Sequence, residues 1–360
     1  MAISDDQYSS AWYKNMAQSL IFVYVAASLV FRPQQFTDAL LTYASMLSYE
    51  FPSFFNIPNR LWPIPVGLML YAFSKHPSRA LLVYALYHVV THKRDSHHNG
   101  SEVSRRLGGG YVGRAVQRYL NASLHTPYLE KLQALTQTGT KFVFAVHPHS
   151  MFGISTLVHF ATTRLFTKER LGIDFRVLTI NMNFWIPVLR EYLMSRGFVC
   201  ADKRTFAALL SRNISPVIVP GGAEETLFAY PGSADLIVGK RFGFVREAVR
   251  NGAWLVPVYC FGDNEAVPTM RLPKHIVKMQ RVLQKWLSFA TPLGLPMFKR
   301  TPIRMVVGEP LEPPTGGSFP QRVLEYHAKY KEALARLFAE NLSYFGSPAE
   351  KRGEGLRFIK

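Results

Sequence analysis

The feature that most constrains the fold is an alternation of two residue patterns that begins at Lys141. Short runs of β-branched and aromatic residues alternate with longer stretches of helical spacing. This alternation is typical of βαβ units, which build a sheet covered by helices. The predicted strands are Phe142–Val146, Phe175–Ile180, Pro216–Val219, Leu255–Tyr259 and Ile303–Val307. The predicted helices are Met151–Phe166, Pro187–Arg196, Thr205–Arg212, Phe242–Asn251 and one from Gln321 to about Leu342. The sequence therefore predicts one α/β domain with a mixed sheet and flanking helices.

The N-terminal third has a different pattern, dominated by three apolar runs. They cover residues 17–31, 61–73 and 80–90, and a polar stretch at 74–79 between the last two suits the turn of a hairpin. Each run is shorter than the roughly 20 residues that a helix needs to span a bilayer. A hairpin within one leaflet, two short spans and a pair of buried helices all fit. The first sixteen residues lack the basic start of a secretory signal. We expect residues 1–118 to be a membrane-associated region.

Charge and apolar content restrict the class of partner. The chain carries 42 Lys and Arg against 24 Asp and Glu, a net charge of +18, while 48% of it is apolar. High aromatic and low charged content excludes a disordered chain. A basic chain favours a polyanion, but no helix-turn-helix, zinc-ligand set or RNA-binding aromatic motif accompanies the charge, so we expect no nucleic-acid partner. An anionic phospholipid membrane fits both properties.

The basic residues concentrate in one acid-free segment. No Asp or Glu occurs from Ala266 to Gly308, a stretch that holds eight Lys and Arg. Four of the cations follow helical spacing, and apolar residues occupy another face. This pattern indicates an interfacial amphipathic helix; a core-packed helix with a solvated face is the alternative. The basic stripe is Lys274, Lys278, Arg281 and Lys285, and the apolar face is Ile276, Met279, Leu283, Trp286 and Leu287.

Neither the histidines of the N-terminal third nor the two cysteines indicate a metal site. His88, His92, His97 and His98 lie close together, but no Cys or suitably spaced carboxylate completes a ligand set. Cys200 and Cys260 each sit in an apolar run and are too few for a disulfide framework. We therefore expect no bound metal and reduced, buried cysteines.

The first candidate site follows the strand Phe142–Val146, as His147-Pro148-His149-Ser150. Pro148 ends the strand, and Ser150 could cap the helix after it. His149 would then lie beside the positive end of a helix dipole, which disfavours the imidazolium form. A neutral imidazole is what a general base requires. Two structural histidines in a turn are the alternative.

A second candidate site lies at Pro220-Gly-Gly-Ala-Glu-Glu225, also directly after a predicted strand. Gly221 and Gly222 allow a sharp turn or a close approach of the backbone to a ligand. Glu225 could accept a hydrogen bond from the far ring nitrogen of a catalytic histidine. About 75 residues separate Glu225 from His149, enough for two βα units, so neighbouring strands can bring them together.

A third block, Arg241 to Gly262, combines a helix, a glycine stop and a strand. Arg241, with Lys240 before it, lies near the helix start and could face an anionic ligand, or both could be surface cations. No phosphate-binding loop of the G-x-x-x-x-G-K-S/T type and no G-x-S-x-G nucleophile elbow occurs in the chain. Nucleotide hydrolysis and a hydrolase serine are therefore poorly supported.

Together these blocks resemble the type-2 diacylglycerol acyltransferase family, which includes monoacylglycerol acyltransferases and wax-ester-forming relatives. The resemblance runs from about Leu120 to Gly346. Its blocks occur in the family's order: His147-Pro-His149, Pro187-Val-Leu-Arg-Glu-Tyr-Leu-Met194, Gly221-Gly-Ala-Glu-Glu225, the segment Arg241–Gly262, Val306-Val-Gly-Glu-Pro310 and Tyr326-His-x-x-Tyr330. Ser150 and Tyr119-Leu-Asn121 depart from the more usual residues, which leaves the acceptor preference open.

The resemblance implies a membrane protein of the endoplasmic reticulum, also found at lipid droplets, with a cytosol-facing catalytic domain at 119–346 and a polar C-terminal tail at 347–360. It implies acyl transfer from acyl-CoA to diacylglycerol, giving triacylglycerol, without a further cofactor. Monoacylglycerol or a fatty alcohol is the alternative acceptor, and a homo-oligomer is possible. The fold would be similar to that of the glycerol-phosphate acyltransferases.

The resemblance also assigns roles to the candidate residues. Glycerol-phosphate acyltransferases pair a catalytic His with an Asp five positions later, but here Ile154 follows His149 at that distance. The orienting carboxylate must come from elsewhere, and Glu225 is the candidate. His149 is the expected base, and His147 is either the base or a residue that shapes the junction. From the residues themselves we further expect CoA phosphate contacts from Lys240 and Arg241. The backbone N–H groups near Gly221 and Gly222 or at the helix start after His149 are the expected oxyanion donors.

Overall fold

A seven-stranded sheet forms the centre of the domain in a computed structural model of the chain. The structure describes residues 117–151, 153–162, 172–184, 190, 193–194, 196–287 and 299–359, together with Ser78 and Leu86. The apolar runs 17–31 and 61–73 lie outside the described residues, as do nearly all of run 80–90 and most of the predicted helix Pro187–Arg196. The domain division at residue 118 therefore stays a prediction.

The sheet is mainly parallel. The strands are β1 Ser123–His125, β2 Phe142–His147, β3 Asp174–Thr179, β4 Phe198–Cys200, β5 Ile214–Ile218, β6 Ala234–Leu236, β7 Trp254–Phe261, β8 Arg304–Val307 and β9 Leu356–Phe358. The order in the large sheet is β1-β8-β7-β2-β5-β3-β4, and a separate parallel pair joins β6 to β9. Among these described strands, β7 and β8 pair antiparallel and the other neighbours pair parallel. The mixed sheet predicted from the sequence is confirmed.

Helices cover both faces of the sheet. The helices are α1 Leu129–Gln137, α2 Ile154–Thr156, α3 Lys203–Ser211, α4 Gly222–Glu225, α5 Gly243–Asn251, α6 Asp263–Ala266, α7 Lys274–Leu287, α8 Phe319–Phe345 and α9 Pro348–Arg352, and α2 continues with π-helical geometry over Leu157–Thr162. Local residues fix several ends: the Asp202 carboxylate accepts from the Thr205 N–H at 2.7 Å, and Gly252 ends α5 in the left-handed region.

The central strand β2 explains why the sheet core was predictable. All six of its residues are buried, as expected for a parallel strand covered on both faces. One hydrophobic cluster packs α3, α5 and α8 against one face, and a second packs Leu132 of α1 and Phe160 against the other. These two layers hold the carboxyl ends of β2, β5 and β7 side by side.

One local expectation is corrected by the structure. Ser150 does not cap the following helix, because α2 begins at Ile154 and its N-cap is Gly153, in the left-handed region at φ 59°. The predicted polar C-terminal tail contains α9 and β9, and its Glu350 is buried. Among the described residues, no helix is both long and apolar enough to cross a membrane.

Candidate active site

The candidate residues converge at the carboxyl edge of three adjacent strands. His147 ends β2, Gly221 follows β5 after a short turn, and Asp263 follows β7; the order β7-β2-β5 makes these strand ends neighbours. Ligands of open α/β sheets bind at this edge. His149 and Glu225 meet at this edge, as predicted: the His149 backbone nitrogen lies 2.7 Å from a Glu225 carboxylate oxygen.

His149 is half-buried, and its ring is oriented by its own chain. Nδ1 lies 2.8 Å from the Ser150 carbonyl oxygen. A carbonyl oxygen only accepts, so Nδ1 carries the proton and Nε2 keeps its lone pair. Burial lowers the pKa of His149, while the hydrogen bond to Ser150 opposes that shift. The neutral form with a basic Nε2 is thus favoured by desolvation, rather than by a helix start directly after Ser150.

Glu225 holds the backbone of His149 and does not contact its ring. One carboxylate oxygen accepts from the His149 N–H at 2.7 Å, and the other accepts from the Ile237 N–H at 2.8 Å. The expected hydrogen bond to the imidazole is therefore wrong in this structure. Burial raises the pKa of Glu225 to about 7, and the two backbone bonds and Arg241 oppose that shift. The carboxylate is a clamp between the loop after β2 and the loop after β6.

The two glycines make this clamp possible. A Cβ at Gly221 would lie 1.9 Å from Oε2 of Glu225, so the carboxylate folds back onto space that only glycine leaves open. Gly222 has φ +57°, in the left-handed region. The N–H of Gly222 donates to the Val219 carbonyl at 3.1 Å. The Gly222 amide is therefore already engaged and does not support the predicted oxyanion site.

His147 lies in a closed environment. Its side chain is fully buried, and Nε2 lies 2.9 Å from the Tyr330 hydroxyl. Burial lowers the pKa of His147 to about 3. Tyr330 comes from α8, so the Tyr326-His-x-x-Tyr330 block joins the last long helix to β2. This arrangement supports a structural role for His147.

Asp263 is a site residue that the sequence analysis missed. It is fully buried, and its carboxylate accepts from the Ser155 N–H at 3.0 Å and the Ser155 hydroxyl at 2.9 Å. Burial raises the pKa of Asp263 to about 6. It thereby fixes the start of α2, which follows the loop carrying His149 and Ser150. The signal was a Gly262-Asp263 pair directly after β7, the strand beside β2.

A cationic patch lies beside the clamp. Arg241 donates to Glu224 at 3.0 Å, and the Arg281 Nε lies 3.4 Å from the other oxygen of the same carboxylate. Arg281 also stacks over the Phe228 ring at 4.9 Å. Lys240 is exposed. The three cations against one carboxylate leave this patch with excess positive charge beside Glu225.

The two cysteines are the remaining candidates for a nucleophile. Cys200 and Cys260 are free and buried, and burial raises the pKa of the Cys200 thiol to about 12. Neither cysteine is suited to carry an acyl group as a thiolate. Within the part of the chain that the structure describes, no three His, Cys, Asp or Glu side chains are grouped to hold a metal ion.

Comparison with known proteins identifies the family. The diacylglycerol acyltransferase family model matches residues 73–353, so the chain belongs to that family. Diacylglycerol O-acyltransferase 2 of Mus musculus is 36% identical over 59% of this chain and 59% of its own length. The 2-acylglycerol O-acyltransferase 1 of Bos taurus is 36% identical over 58% of this chain and 67% of its own length. The match thus spans about three fifths of the mouse relative.

A bacterial acyltransferase of known structure also aligns with this chain. The 1-acyl-sn-glycerophosphate acyltransferase PlsC of Thermotoga maritima aligns with a TM-score of 0.43 and 13% identity. The alignment covers 93% of this chain and 98% of that one.

Proposed function

We propose that the chain is an acyl-CoA-dependent O-acyltransferase that forms triacylglycerol from diacylglycerol, with His149 as the general base. The observation that carries the proposal is the Nδ1–H bond from His149 to the Ser150 carbonyl. It leaves the Nε2 lone pair unprotonated at the sheet edge where α/β sites form. The family match supports the reaction class.

In the proposed reaction, Nε2 of His149 takes the proton of the acceptor hydroxyl as that oxygen attacks the thioester carbonyl. The tetrahedral intermediate then expels the thiolate of CoA, which receives the proton from the imidazolium. Glu225 contributes by fixing the peptide of His149, and its negative charge stabilises the imidazolium. His149 is favoured over His147 as the base, because His147 is fully buried and bonded to Tyr330.

The cationic patch is the proposed contact for the phosphates of CoA. Lys240 and Arg241 were the sequence candidates, and Arg281 joins them through Glu224. Guanidinium groups bind phosphate by paired hydrogen bonds. A phosphate arriving at this patch would compete with Glu224 for Arg241 and Arg281. Substituting Arg241 should therefore raise the KM for acyl-CoA more than it lowers kcat.

The proposed second partner is an anionic phospholipid membrane, through α7. Met279 and Val282 are 63% and 54% exposed, and Lys278 beside them is also exposed. The faces differ from the predicted ones: Gln280 is buried and Arg281 turns toward Glu224. An exposed surface that mixes apolar and basic side chains suits the interface of an anionic bilayer. Residues 1–118 would add a second attachment at the cytosolic face of the endoplasmic reticulum or at lipid droplets.

Monoacylglycerol is the second candidate acceptor. A relative named 2-acylglycerol O-acyltransferase 1 matches this chain at the same identity as the mouse diacylglycerol enzyme. The base removes a proton from either hydroxyl in the same way. A fatty alcohol is the third acceptor to be compared.

The test is an acyl-CoA assay on microsomes from cells that lack triacylglycerol synthesis, with the three acceptors offered in parallel. His149→Gln should lower turnover by about 10²- to 10⁴-fold, the range for loss of a general base. His125→Gln, at an exposed histidine on β1, is the matched control and should keep full turnover. Folded His149→Gln with wild-type turnover would refute the base assignment. Faster acylation of monoacylglycerol or of the fatty alcohol would mean that diacylglycerol is not the preferred acceptor.

A further inference from the structure

The last residues of the chain pack against the two loops that support the site. Strand β9 pairs with β6 in parallel, with Asp235 opposite Arg357, and the Ile359 N–H continues the pairing to the Leu236 carbonyl at 3.0 Å. Strand β6 leads directly into Ile237, whose N–H donates to Glu225. The C-terminal segment, residues 347–359, is therefore one strand away from the clamp on His149.

A bidentate ion pair fastens this strand pairing. Arg357 Nε donates to one oxygen of Asp235 at 2.7 Å, and Nη2 donates to the other at 2.8 Å. The Asp235 side chain is 7% exposed and that of Arg357 is 41% exposed. Two parallel bonds fix geometry as well as distance. The pair thus sets the position of β6 along β9.

A second contact reaches Gly262, which directly precedes Asp263 at the start of α6. The buried Glu350 accepts from the Gly262 N–H through both carboxylate oxygens, at 3.2 and 3.1 Å. Close packing supports it, since a Cβ at Gly353 would lie 2.3 Å from the Gly232 carbonyl oxygen. The same segment therefore contacts the residue before Asp263 and the strand that follows Glu225.

We infer that the C-terminal segment positions the catalytic apparatus, with Arg357 as the positioning residue that holds β6 and so places the Ile237 N–H against Glu225. This inference rests on the proposed role of His149. The path is continuous: Arg357 to Asp235, β6 to Ile237, Ile237 to Glu225, and Glu225 to the backbone of His149. A segment that only covered the sheet would stabilise the fold without affecting the position of the base.

The test compares kcat, KM and the pH profile of full-length variants in microsomes. Arg357→Ala should lower kcat by on the order of 10-fold, since small misplacements of a reacting group are costly. The KM for acyl-CoA should stay unchanged, and Arg357→Lys should recover part of kcat. Because the Ile237 bond lowers the pKa of Glu225, loosening β6 should also move the acid limb of the profile to higher pH.

Two further variants make the outcome decisive. Arg336→Ala removes the exposed pair with Glu332 on α8 and is the matched control, expected to leave kcat and the acid limb unchanged. Asp235→Asn weakens the same ion pair from the β6 side and should reproduce both effects of Arg357→Ala. If Arg357→Ala does not fold, Asp235→Asn takes its place in the test.

The inference is overturned if folded variants keep the wild-type profile, or if they lose turnover with an unshifted acid limb, which would indicate a stabilising role alone. An active His149→Gln would instead refute the proposed mechanism, so the two failures are distinguishable.

Discussion

Glu225→Gln tests whether the carboxylate acts as a backbone clamp. The carboxylate accepts from two buried N–H groups, those of His149 and Ile237. A glutamine has one carbonyl oxygen, so it accepts only one of the two bonds and turns its own NH₂ toward the other donor. One backbone N–H is then left without an acceptor in a buried site.

The magnitude follows from that lost acceptor. An unsatisfied buried donor costs about 1–3 kcal/mol. If the cost falls on the arrangement that places His149, turnover decreases by about 5- to 160-fold, at 1.36 kcal/mol per factor of ten. The KM for acyl-CoA should change little, because Glu225 lies behind the base and the cationic patch is left intact.

The assay is the initial rate with saturating acyl-CoA and diacylglycerol in microsomes, normalised to the amount of folded enzyme. Glu332→Gln makes the same chemical change at a side chain that is 74% exposed, and it should keep the wild-type rate. Equal rates for Glu225→Gln and Glu332→Gln would refute the clamp.

Two further outcomes follow from the same geometry. Gly221→Ala should lower turnover as Glu225→Gln does, because the new Cβ would displace the Glu225 carboxylate. Gly243→Ala, whose Cβ would meet nothing within 4 Å, should keep the wild-type rate. Equal rates for the two alanine variants would contradict the argument. When the pH is lowered from 8 to 5.5, kcat/KM should fall near pH 7. Burial raises the pKa of Glu225 to about 7, and the protonated carboxyl loses an acceptor position. A profile that stays flat down to pH 5.5 would show that the ionisation of Glu225 does not affect activity.

The sequence predicts the sheet better than it predicts the site's contacts. Strands such as β2 are buried on both faces, so they appear as continuous apolar runs bounded by turn residues. The four missed strands, β1, β4, β6 and β9, have three residues each, too few for any periodicity to emerge. Two of them, β6 and β9, carry the contacts that reach Ile237.

Within the site, position was predictable and atomic contacts were not. The carboxyl ends of neighbouring parallel strands lie at the same edge of a sheet, so His149 and Glu225 come close whatever their rotamers are. Which atom of His149 meets the carboxylate depends on how closely Glu225 folds over Gly221, a tertiary detail. Likewise the spacing in α7 indicates an amphipathic helix, but Glu224 decides that Arg281 turns inward.

The buried ionisable groups make activity and stability favour different pH values. Burial raises the pKa of Glu225 to about 7 and that of Asp263 to about 6, and burial together with Glu265 raises the pKa of Glu350. The folded state therefore holds protons that the unfolded chain has released. Stability is lost as the pH rises through these folded pKa values, since the unfolded state binds fewer protons there.

The buried histidines change the stability with pH in the opposite direction. Burial lowers the pKa of His147 to about 3 and that of His159 to about 4. Their unfolded forms titrate near pH 6.5, so the stability that they contribute is complete above that pH and is lost on acidification.

Above pH 6.5 the histidines no longer change the stability, and the carboxyl contribution alone decreases it while Glu225 ionises and becomes able to clamp His149. The melting temperature should therefore fall from pH 6.5 to 8 while kcat/KM rises. Glu225→Gln removes one of the titrating carboxyls and should flatten that fall, whereas Glu332→Gln should leave it unchanged. A wild-type melting temperature that rises over this interval would mean that the buried carboxyls are already ionised at no cost in the folded state.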